Sequence, residues 1–346
     1  MTMRPGIYFA LAFFGLLILL SLFADFLSPN PPEMQNLDHF YHPPTRIHFF
    51  SSNGTFAYKP FLYRTVLTEP LDALYREDAG AAYPLEFFFR GYRYRIFGLI
   101  SWDRHLVGRS GEPRLYPLGT DELGRDVLAR ILAGTRTSLM VVVLGIVLYA
   151  ALGLTIGALA GISGGWVDSL LMRFSEFVLA LPALYMVLAL RALLPARIPF
   201  WQTLFLMVGT IALAAWPPLA RGVRGLILQL KSSAFVEAAR SLGGTPFHIF
   251  VRHMLPSLLP FTIAQLAMAA PIFLLGEAVL SFLNVGFRES GESWGSMLRG
   301  LRDTRVITDF WWNLAPLFMV FLTLLSLNIL SSGLRGKEPH DRVMRL

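Results

Sequence analysis

The sequence contains no cysteine and few charged residues for its length. Among 346 residues there are 0 Cys, and Asp, Glu, Lys and Arg together make up 15%, whereas soluble proteins average about 25% charged residues. The absence of Cys excludes disulfides, thiolate metal sites and a cysteine nucleophile. The low charge, with 54% hydrophobic residues and a mean hydropathy of +0.53, predicts an integral membrane protein.

The sequence also lacks the motifs of several enzyme classes. No G-x-x-x-x-G-K-[ST] loop is present, so we expect no P-loop nucleotide site in this chain. The histidines His39, His42, His48 and His105 show no H-E-x-x-H or similar zinc spacing. We therefore expect no metal site and no catalytic residues. The alternative is a membrane enzyme with a metal site in residues 36–116. Zinc analysis of this region would test it.

The net charge of +7 and the pI of about 9.9 do not indicate nucleic-acid binding. No basic-aromatic motif accompanies the charge. Membrane proteins carry Lys and Arg in the loops that flank their spans. We expect membrane lipid, and no nucleic acid, around this chain.

Apolar runs predict six membrane-spanning helices. A span needs about 20 apolar residues, and helices satisfy the backbone polar groups inside the bilayer. The predicted spans are 6–27, 139–162, 174–194, 201–220, 258–283 and 314–334. The first could instead be a cleaved signal peptide, but its long apolar run and the lack of an A-x-A site favour a retained anchor.

The distribution of Lys and Arg predicts that both termini are cytoplasmic. With the N-terminus inside, the loop 221–257 and the tail after 334 are cytoplasmic and rich in Lys and Arg. Arg288, Arg299, Arg302 and Arg305 oppose this orientation, because they precede the last span on the outer side. Arg191, near the outer end of the third span, is expected to extend to the membrane surface.

The chain divides into three predicted parts: the first span and its flank at 1–35, an extracytoplasmic insert at 36–116, and a membrane core at 117–346. In the insert, Asn53-Gly54 between apolar runs predicts a β-hairpin. The same residues begin a glycosylation sequon, Asn53-Gly54-Thr55, which is the alternative interpretation. A second strand pair is predicted around Arg90-Gly91.

The second span carries small residues at a helical spacing. Gly153, Gly157 and Gly161 fall four residues apart on one face, a pattern that lets helices approach closely. The stretch "GISGG", 161–165, also matches the G-x-S-x-G nucleophile elbow. That motif needs a preceding strand and His and Asp partners, so we favour a structural role.

The stretch "GTDELGRD", 119–126, predicts a tight turn into an amphipathic helix along the membrane surface. Asp121 is the expected N-cap of that helix, and Arg125 is expected to pair with a nearby acid. A catalytic carboxylate pair of Asp121 and Asp126 is the alternative, which we disfavour because no His or metal motif lies close by in sequence.

Glu277 lies deep in the fifth span. A charge at the bilayer centre costs roughly 2.5–3.5 kcal/mol on insertion scales, so an intramembrane carboxylate is a functional candidate by default. We consider it a candidate for the translocation path. The alternative, which we favour, is a protonated or paired residue of helix packing.

The loop at 233–256 predicts two short helices. "EAARSLGGTPFHIFVRHMLP", 237–256, has a helix end at Gly243-Gly244, followed by an N-cap at Thr245 and Pro246 at the first helical position. The second helix has an apolar face of Phe247, Phe250, Val251 and Met254. An amphipathic helix on lipid is the alternative, but two linked helices with a Glu-Ala-Ala face favour a protein dock.

This loop resembles the EAA loop of ABC-importer permeases. "LGTDELGRDVLARILAGTRTSL" (118–139), "GGWVDSLLMRFSEFVLALP" (164–182) and "EAVLSFLNVGF" (277–287) resemble C-type permeases of the dipeptide and oligopeptide family. The resemblance covers the first span and residues 117–334. It implies an all-α membrane protein of six helices, the type I ABC importer permease fold. The strand patterns in 36–116 add the expectation of a β-rich extracytoplasmic insert after the first helix.

The resemblance also implies function and partners. The family member is a permease subunit in the bacterial inner membrane, paired with a second permease, two ATPase subunits that bind ATP and Mg, and an extracytoplasmic solute-binding protein. It binds no cofactor itself. The expected solutes are peptides; nickel or glycosides, or a non-ABC channel, are the alternatives. The residues that the resemblance assigns to ATPase coupling are Glu237, Ala238, Ala239, Arg240, Gly243, Phe247, Phe250, Arg252, Leu255 and Pro256.

Overall fold

The computed structural model describes residues 5–50, 56–96, 99–182, 185–186, 188–189, 199–287 and 291–335, with side chains to 333. The main helices are α1 (Pro5–Leu22), α3 (Val127–Ser163), α4 (Gly165–Ala180), α5 (Phe200–Ala215), α6 (Pro217–Lys231), α9 (Leu255–Phe282) and α12 (Ala315–Arg335). The shorter helices are α2 (Ala24–Leu27), α7 (Ala234–Ser241), α8 (Pro246–Ile249), α10 (Trp294–Met297) and α11 (Thr304–Asp309).

Within the described residues, four helices are long and apolar enough to cross a membrane, or five if a bent pair counts as one span. The four are Pro5–Leu22, Val127–Ser163, Pro246–Phe282 and Trp311–Gly333. The prediction of six spans is therefore matched only in part. The third predicted span begins within α4, and part of it, including Arg191, lies outside the described residues.

The fourth predicted span is a bent pair rather than one helix. Helices α5 and α6 meet at Trp216 and Pro217 with a 47° bend. Pro217 and Pro218 lack backbone N–H groups, and proline rings clash with the preceding turn, so a straight helix cannot continue through this point. The hydropathy pattern did not show the bend because apolar residues continue on both sides of it.

The chain forms two compact units. One contains residues 1–11, 139–277 and 323–346, and the other contains 12–138 and 278–322. We call them the first and the second unit.

The glycine stripe of α3 packs against α6 in the first unit. A Cβ at Gly153 would lie 2.5 Å from the Leu219 side chain, and one at Gly157 would lie 2.5 Å from the carbonyl oxygen of Ala220. A Cβ at Gly161 would lie 2.9 Å from the Ile227 side chain. The predicted role of the small residues in close helix packing is confirmed.

Polar contacts connect neighbouring helices of the first unit. Asp168 near the start of α4 accepts two hydrogen bonds from Arg224 of α6, at 3.0 and 2.5 Å. Lys231 at the end of α6 donates to the carbonyl oxygen of Ile162, in the last turn of α3, at 2.7 Å. A cation near a helix C-terminus also complements the helix dipole.

The second unit contains a β-region at residues 48–108. Strands β1 (His48–Phe50), β2 (Phe56–Glu69) and β3 (Leu74–Pro84) form one antiparallel sheet, in that order. Strand β4 (Glu86–Phe87) pairs with β7 (Val107–Gly108), and β5 (Arg90–Ile96) pairs with β6 (Ile100–Arg104). The predicted Asn53-Gly54 turn lies outside the described residues, but the flanking strands pair antiparallel, with Phe50 opposite Phe56.

The second predicted turn was wrong in position. Arg90-Gly91 begins strand β5, and the chain reverses between Ile96 and Ile100. Gly91 serves close packing instead, since a Cβ there would lie 2.6 Å from the His105 ring. Glycine occurs both in turns and where a side chain packs directly against the backbone. The Arg-Gly pair alone could not distinguish these two cases.

An apolar cluster connects the β-region to the helical segments of the second unit. Tyr41 stacks on Phe310 with ring centroids 4.2 Å apart. Trp312 packs in the same cluster as Val127 and donates its Nε1–H to the carbonyl oxygen of Thr120 at 2.9 Å. The turn at 119–126 is therefore held by a buried aromatic side chain as well as by its own hydrogen bonds.

We predict that Gly157→Ala destabilises the protein by about 1–3 kcal/mol, because the added methyl group forces two helix backbones apart. The comparison is Gly209→Ala in α5, where a Cβ meets nothing within 4 Å. Thermal unfolding in detergent measures both. Equal midpoints for the two variants would contradict the packing described here.

Candidate functional site

The first helix of the candidate coupling loop, α7, has a well-defined end. Gly244 N–H donates to the Ala239 carbonyl and Gly243 N–H to the Arg240 carbonyl, the hydrogen bonds of a Schellman motif. Gly243 has a φ of +80°, and a Cβ there would meet no atom within 4 Å. Glycine is therefore needed at this position for its backbone conformation and not for lack of space.

The second helix of the loop begins as predicted. The Thr245 hydroxyl accepts a hydrogen bond from the backbone N–H of His248 at 3.3 Å, and Pro246 occupies the first turn. The N-cap and the position of the proline are confirmed. A π-helical segment, Phe250–Met254, then joins α8 to α9, so that Pro246–Phe282 is one long apolar helix.

The π-helical segment changes which side chains share a face. The sequence analysis, which assumed α-helical spacing, placed Phe247 and Val251 with Met254. The structure buries Ile249 and Met254, five residues apart, and leaves Phe247 76% exposed. A π-turn brings residues i and i+5 together, and the sequence pattern could not show where that turn would occur.

The loop presents an exposed set of side chains around the glycine turn. Val236 is fully buried and fixes α7 to the protein, whereas Leu242 is 89% exposed. The loop residues assigned by the sequence analysis divide by exposure. The exposed ones are Glu237, Ala238, Arg240, Gly243, Phe247, Arg252 and Pro256, and the half-buried ones are Ala239, Phe250 and Leu255.

A second group of predicted residues forms a buried turn in the second unit. The Asp121 carboxylate accepts from the backbone N–H groups of Leu123 and Arg125, each at 2.9 Å. Gly124 has a φ of +67° and lies directly against the Asn36 backbone, so no side chain fits there. The predicted tight turn is confirmed.

The predicted N-cap was wrong by five residues. Asp126, not Asp121, caps the helix that follows: its carboxylate accepts from the N–H groups of Leu128 and Ala129. That helix is α3, which continues without a break into the second span, so there is no separate surface helix. Because the turn contains two aspartates, the sequence alone did not show which one is the N-cap. The Asp121 carboxylate instead accepts the backbone N–H groups of the turn itself.

Four charged side chains meet beside this turn: Asp121 and Arg130 are buried, and Arg125 and Glu292 are half-buried. Arg130 pairs with Asp121 and, at 2.7 Å, with Glu292. Arg125 pairs with Asp121 at 2.8 Å and lies 3.7 Å from Glu292. We call Asp121, Arg125, Arg130 and Glu292 the charge quartet. Two guanidinium groups and two carboxylates neutralise each other, which a buried charge requires.

Asp126 lies next to the quartet but has different chemistry. Burial raises the pKa of Asp126 to about 7, while hydrogen bonds from Asn30 and from backbone N–H groups act in the opposite direction. Its function is structural, since it caps α3 and accepts from Asn30 at 2.8 Å. These contacts argue against a catalytic pair with Asp121.

A cavity of about 460 Å³ opens beside the charge quartet. Its walls combine charged groups, amides and a phenol with a few apolar side chains. They include Asp121, Glu122, Arg125, Arg130, Asn284, Arg299, Asn313 and Tyr41. Arg299 donates to the side-chain oxygen of Asn284 at 2.9 Å. The cavity is thus polar and of the size of small-molecule sites.

The remaining candidates have structural environments. Glu277 is fully buried within the first unit. His42 hydrogen-bonds Thr65, and burial lowers the pKa of His42 to about 4. The described residues contain no group of three or more His, Asp or Glu side chains placed to hold a metal. The "GISGG" stretch ends α3 and follows no strand, so it is not a nucleophile elbow.

Sequence analysis found half of the charge quartet. Arg125 was expected to pair with an acid, but Arg130 and Glu292 were not singled out. Glu292 is 162 residues from Arg130 along the chain, and no local sequence pattern indicates a contact between residues so far apart. The only sequence signal was that both are charged residues beside apolar runs.

We predict that Glu292→Gln lowers stability by about 3–5 kcal/mol, because it leaves a net positive charge buried around Arg130. The matched control is Glu112→Gln, which breaks the exposed pair with Arg114 and is expected to cost about 1 kcal/mol or less. Thermal unfolding followed by tryptophan fluorescence measures both. A Glu292 variant as stable as the control would contradict the quartet's role.

Comparison with known proteins agrees with this architecture. Residues 153–336 match the model of the family described as binding-protein-dependent transport system inner membrane component. Residues 4–44 match the N-terminal transmembrane domain of oligopeptide transport permease C.

Several curated relatives are named as permease proteins of transport systems. The oligopeptide transport system permease protein OppC of Haemophilus influenzae is 36% identical over 65% of this chain and 70% of its own length. The dipeptide transport system permease protein DppC of Bacillus subtilis is 34% identical over 63% and 66%. The glutathione transport system permease protein GsiD of Pectobacterium atrosepticum is 34% identical over 63% and 70%.

The resemblance drawn from the sequence motifs is therefore confirmed. Together with the apolar helices, these matches indicate a multi-pass inner-membrane protein and a transport subunit rather than an enzyme. The chain belongs to the family of binding-protein-dependent transport system inner membrane components, in the branch of dipeptide and oligopeptide ABC-importer permeases of the C type.

Proposed function

We propose that this chain is one of two permease subunits of an ATP-driven peptide importer and that it forms half of the translocation path. The single observation that carries the coupling mechanism is the exposed, rigidly capped loop at 233–256 in a chain of this family. The proposal includes six spans, both termini in the cytoplasm and an extracytoplasmic insert at 36–116. Both halves of the loop are fixed by hydrogen bonds at the glycine turn and at Thr245.

The exposed side chains of the loop suit a protein partner. Leu242 and Phe247 are large apolar groups left in solvent next to the charged Glu237 and Arg240. Apolar anchors beside charged groups are typical of protein interfaces. We propose that the ATPase subunit, with its ATP and Mg, covers these side chains, and that closure of the two ATPases moves the loop.

The mechanical path from the loop into the membrane is short. Helix α8, the second half of the loop, continues through the π-helical segment into α9, so α8 and the fifth span are one continuous helix. A displacement of α8 therefore moves the span directly, without a flexible joint. Rigid-body rocking of helices is a common form of such switching.

Peptides are the proposed solutes because the relatives' names mention oligopeptides, dipeptides and glutathione. The polar cavity beside the charge quartet is suited to a solute with amide and charged groups. Glu277 is fully buried, which favours the packing role over direct solute contact. Nickel or glycosides are the alternative solutes, and family membership argues against a passive channel.

The coupling loop is tested by Gly243→Asp. We predict that the variant inserts into the membrane but loses ATP-dependent uptake, because an L-residue at this φ costs about 1–2 kcal/mol and distorts the turn. Uptake of a radiolabelled dipeptide and abundance in the membrane are measured together.

The control for this test is Gly111→Asp in the insert, where φ is +90° and a Cβ also meets nothing within 4 Å. It carries the same kind of backbone strain away from the loop, so it is expected to retain uptake. Normal uptake by the Gly243 variant would refute the coupling role.

A further inference from the structure

The hairpin of β5 and β6 is held at the end of the first membrane span. The Nδ1 of buried His105 lies 2.7 Å from the carbonyl oxygen of Asp25, and Leu106 N–H donates to the carbonyl oxygen of Phe26 at 2.8 Å. Both acceptors follow α1 within a few residues. The base of the hairpin is therefore fixed to the chain where it leaves the apolar span.

A second span confirms the position of this polar boundary. Arg136 of α3 pairs with Asp25 at 2.6 Å and donates to the carbonyl oxygen of Ser21 at 2.5 Å. The apolar run of α3 begins three residues later, at Leu139. Two spans thus change from apolar to polar side by side, and we take this boundary as the level of the lipid headgroups.

The hairpin carries an unusual concentration of unpaired positive charge. Arg90, Arg93, Arg95 and Arg104 are all exposed, and Arg90 lies directly opposite Arg104 across the two strands. Like charges in that position are destabilising. Among the described residues, none of the four forms an ion pair with a carboxylate, and the only acid in this stretch is Asp103.

Exposed apolar side chains accompany the arginines. Leu99 at the turn is 86% exposed, and Ile100 and Trp102 are also exposed. Phe88, next to the base of the hairpin, is exposed and lies 6.0 Å from the Phe26 ring. Aromatic residues and Arg are the residue types enriched where proteins cross the membrane surface.

The hairpin is also poorly supported by the rest of the sheet structure. Strands β5 and β6 pair only with each other among the described strands. An isolated two-stranded hairpin is marginally stable in water. Tyr94 and Trp102 oppose each other on one face, and Arg95 and Ser101 on the other, so the arginines project on more than one side. A surrounding headgroup layer can contact such a hairpin on several sides, unlike a flat protein surface.

We propose that the β5–β6 hairpin binds the headgroups of anionic phospholipids beside the first span, with its arginines on the phosphates and its apolar turn in the interfacial layer. This interaction anchors the β-region to the membrane surface. It needs only the membrane location of the chain and does not depend on the transported solute or on the coupling mechanism.

The test uses the full-length chain, purified with its subunits in neutral detergent. Phosphatidylglycerol or phosphatidylcholine is added in steps, and the shift in melting temperature gives an apparent affinity for each lipid. The wild type is expected to prefer phosphatidylglycerol. High salt, about 1 M NaCl, is expected to remove the preference, because it shortens the Debye screening length to about 3 Å and so weakens the attraction between the arginines and the phosphates.

The decisive variant replaces Arg90, Arg93 and Arg95 with Gln. We expect its apparent affinity for phosphatidylglycerol to fall by about ten-fold or more, since each Arg near an anionic surface contributes a several-fold factor. The control replaces Arg46, Arg64 and Arg76 with Gln. These arginines are also exposed: Arg64 and Arg76 lie in the three-stranded sheet, and Arg46 precedes its first strand. This variant is expected to bind as the wild type does.

Three outcomes would overturn the proposal. The hairpin variant could retain wild-type affinity for phosphatidylglycerol, or both triple variants could lose it equally, which would indicate a general charge effect. The hairpin variant could also keep its lipid affinity and instead lose association with the solute-binding protein. That result would make the hairpin a protein-docking element and not a lipid site.

Discussion

Neutralisation of buried charge is the constraint on which the rest of this structure depends. A chain with few charged residues pairs the buried and half-buried ones: Asp168 with Arg224 between two helices of the first unit, and the charge quartet in the second. A single buried charge would cost several kcal/mol. The pairs join segments far apart in sequence, and they therefore fix which helices and loops are neighbours, whereas apolar contacts alone are less specific.

The fold was predictable from sequence where local chemistry decides it. The glycine stripe of α3, the cap at Thr245 and the turn at 119–126 follow from residue type and spacing alone. The bend at Pro217 could not be predicted from hydropathy, because the apolar run continues across it. The π-helical segment at 250–254 could not be predicted either, because the faces were assigned with α-helical periodicity. The position of the second β-hairpin was missed because Gly91 serves packing against His105.

In the candidate site, too, some features could be predicted from local sequence and others could not. The glycine turn of the coupling loop was found from sequence, but the faces of α8 were not, because the π-turn moves Met254 into register with Ile249 and leaves Phe247 outside. Arg130 and Glu292 were missed because their partnership is set by tertiary structure. The exposed Leu242 and Phe247 give the coupling proposal its most direct physical basis.

The measurement that tests this account most directly uses the natural absence of cysteine. In the complete transporter, Leu242→Cys places one thiol on the loop at 233–256, where Leu242 is 89% exposed, and Tyr58→Cys places one on the insert, where Tyr58 is 96% exposed. A short bifunctional reagent that links this thiol to a nearby lysine is then added. The account predicts that the Leu242 variant becomes linked to an ATPase subunit and that the Tyr58 variant does not. A Leu242 variant that labels freely in the assembled complex, with no link to the ATPase, would contradict it.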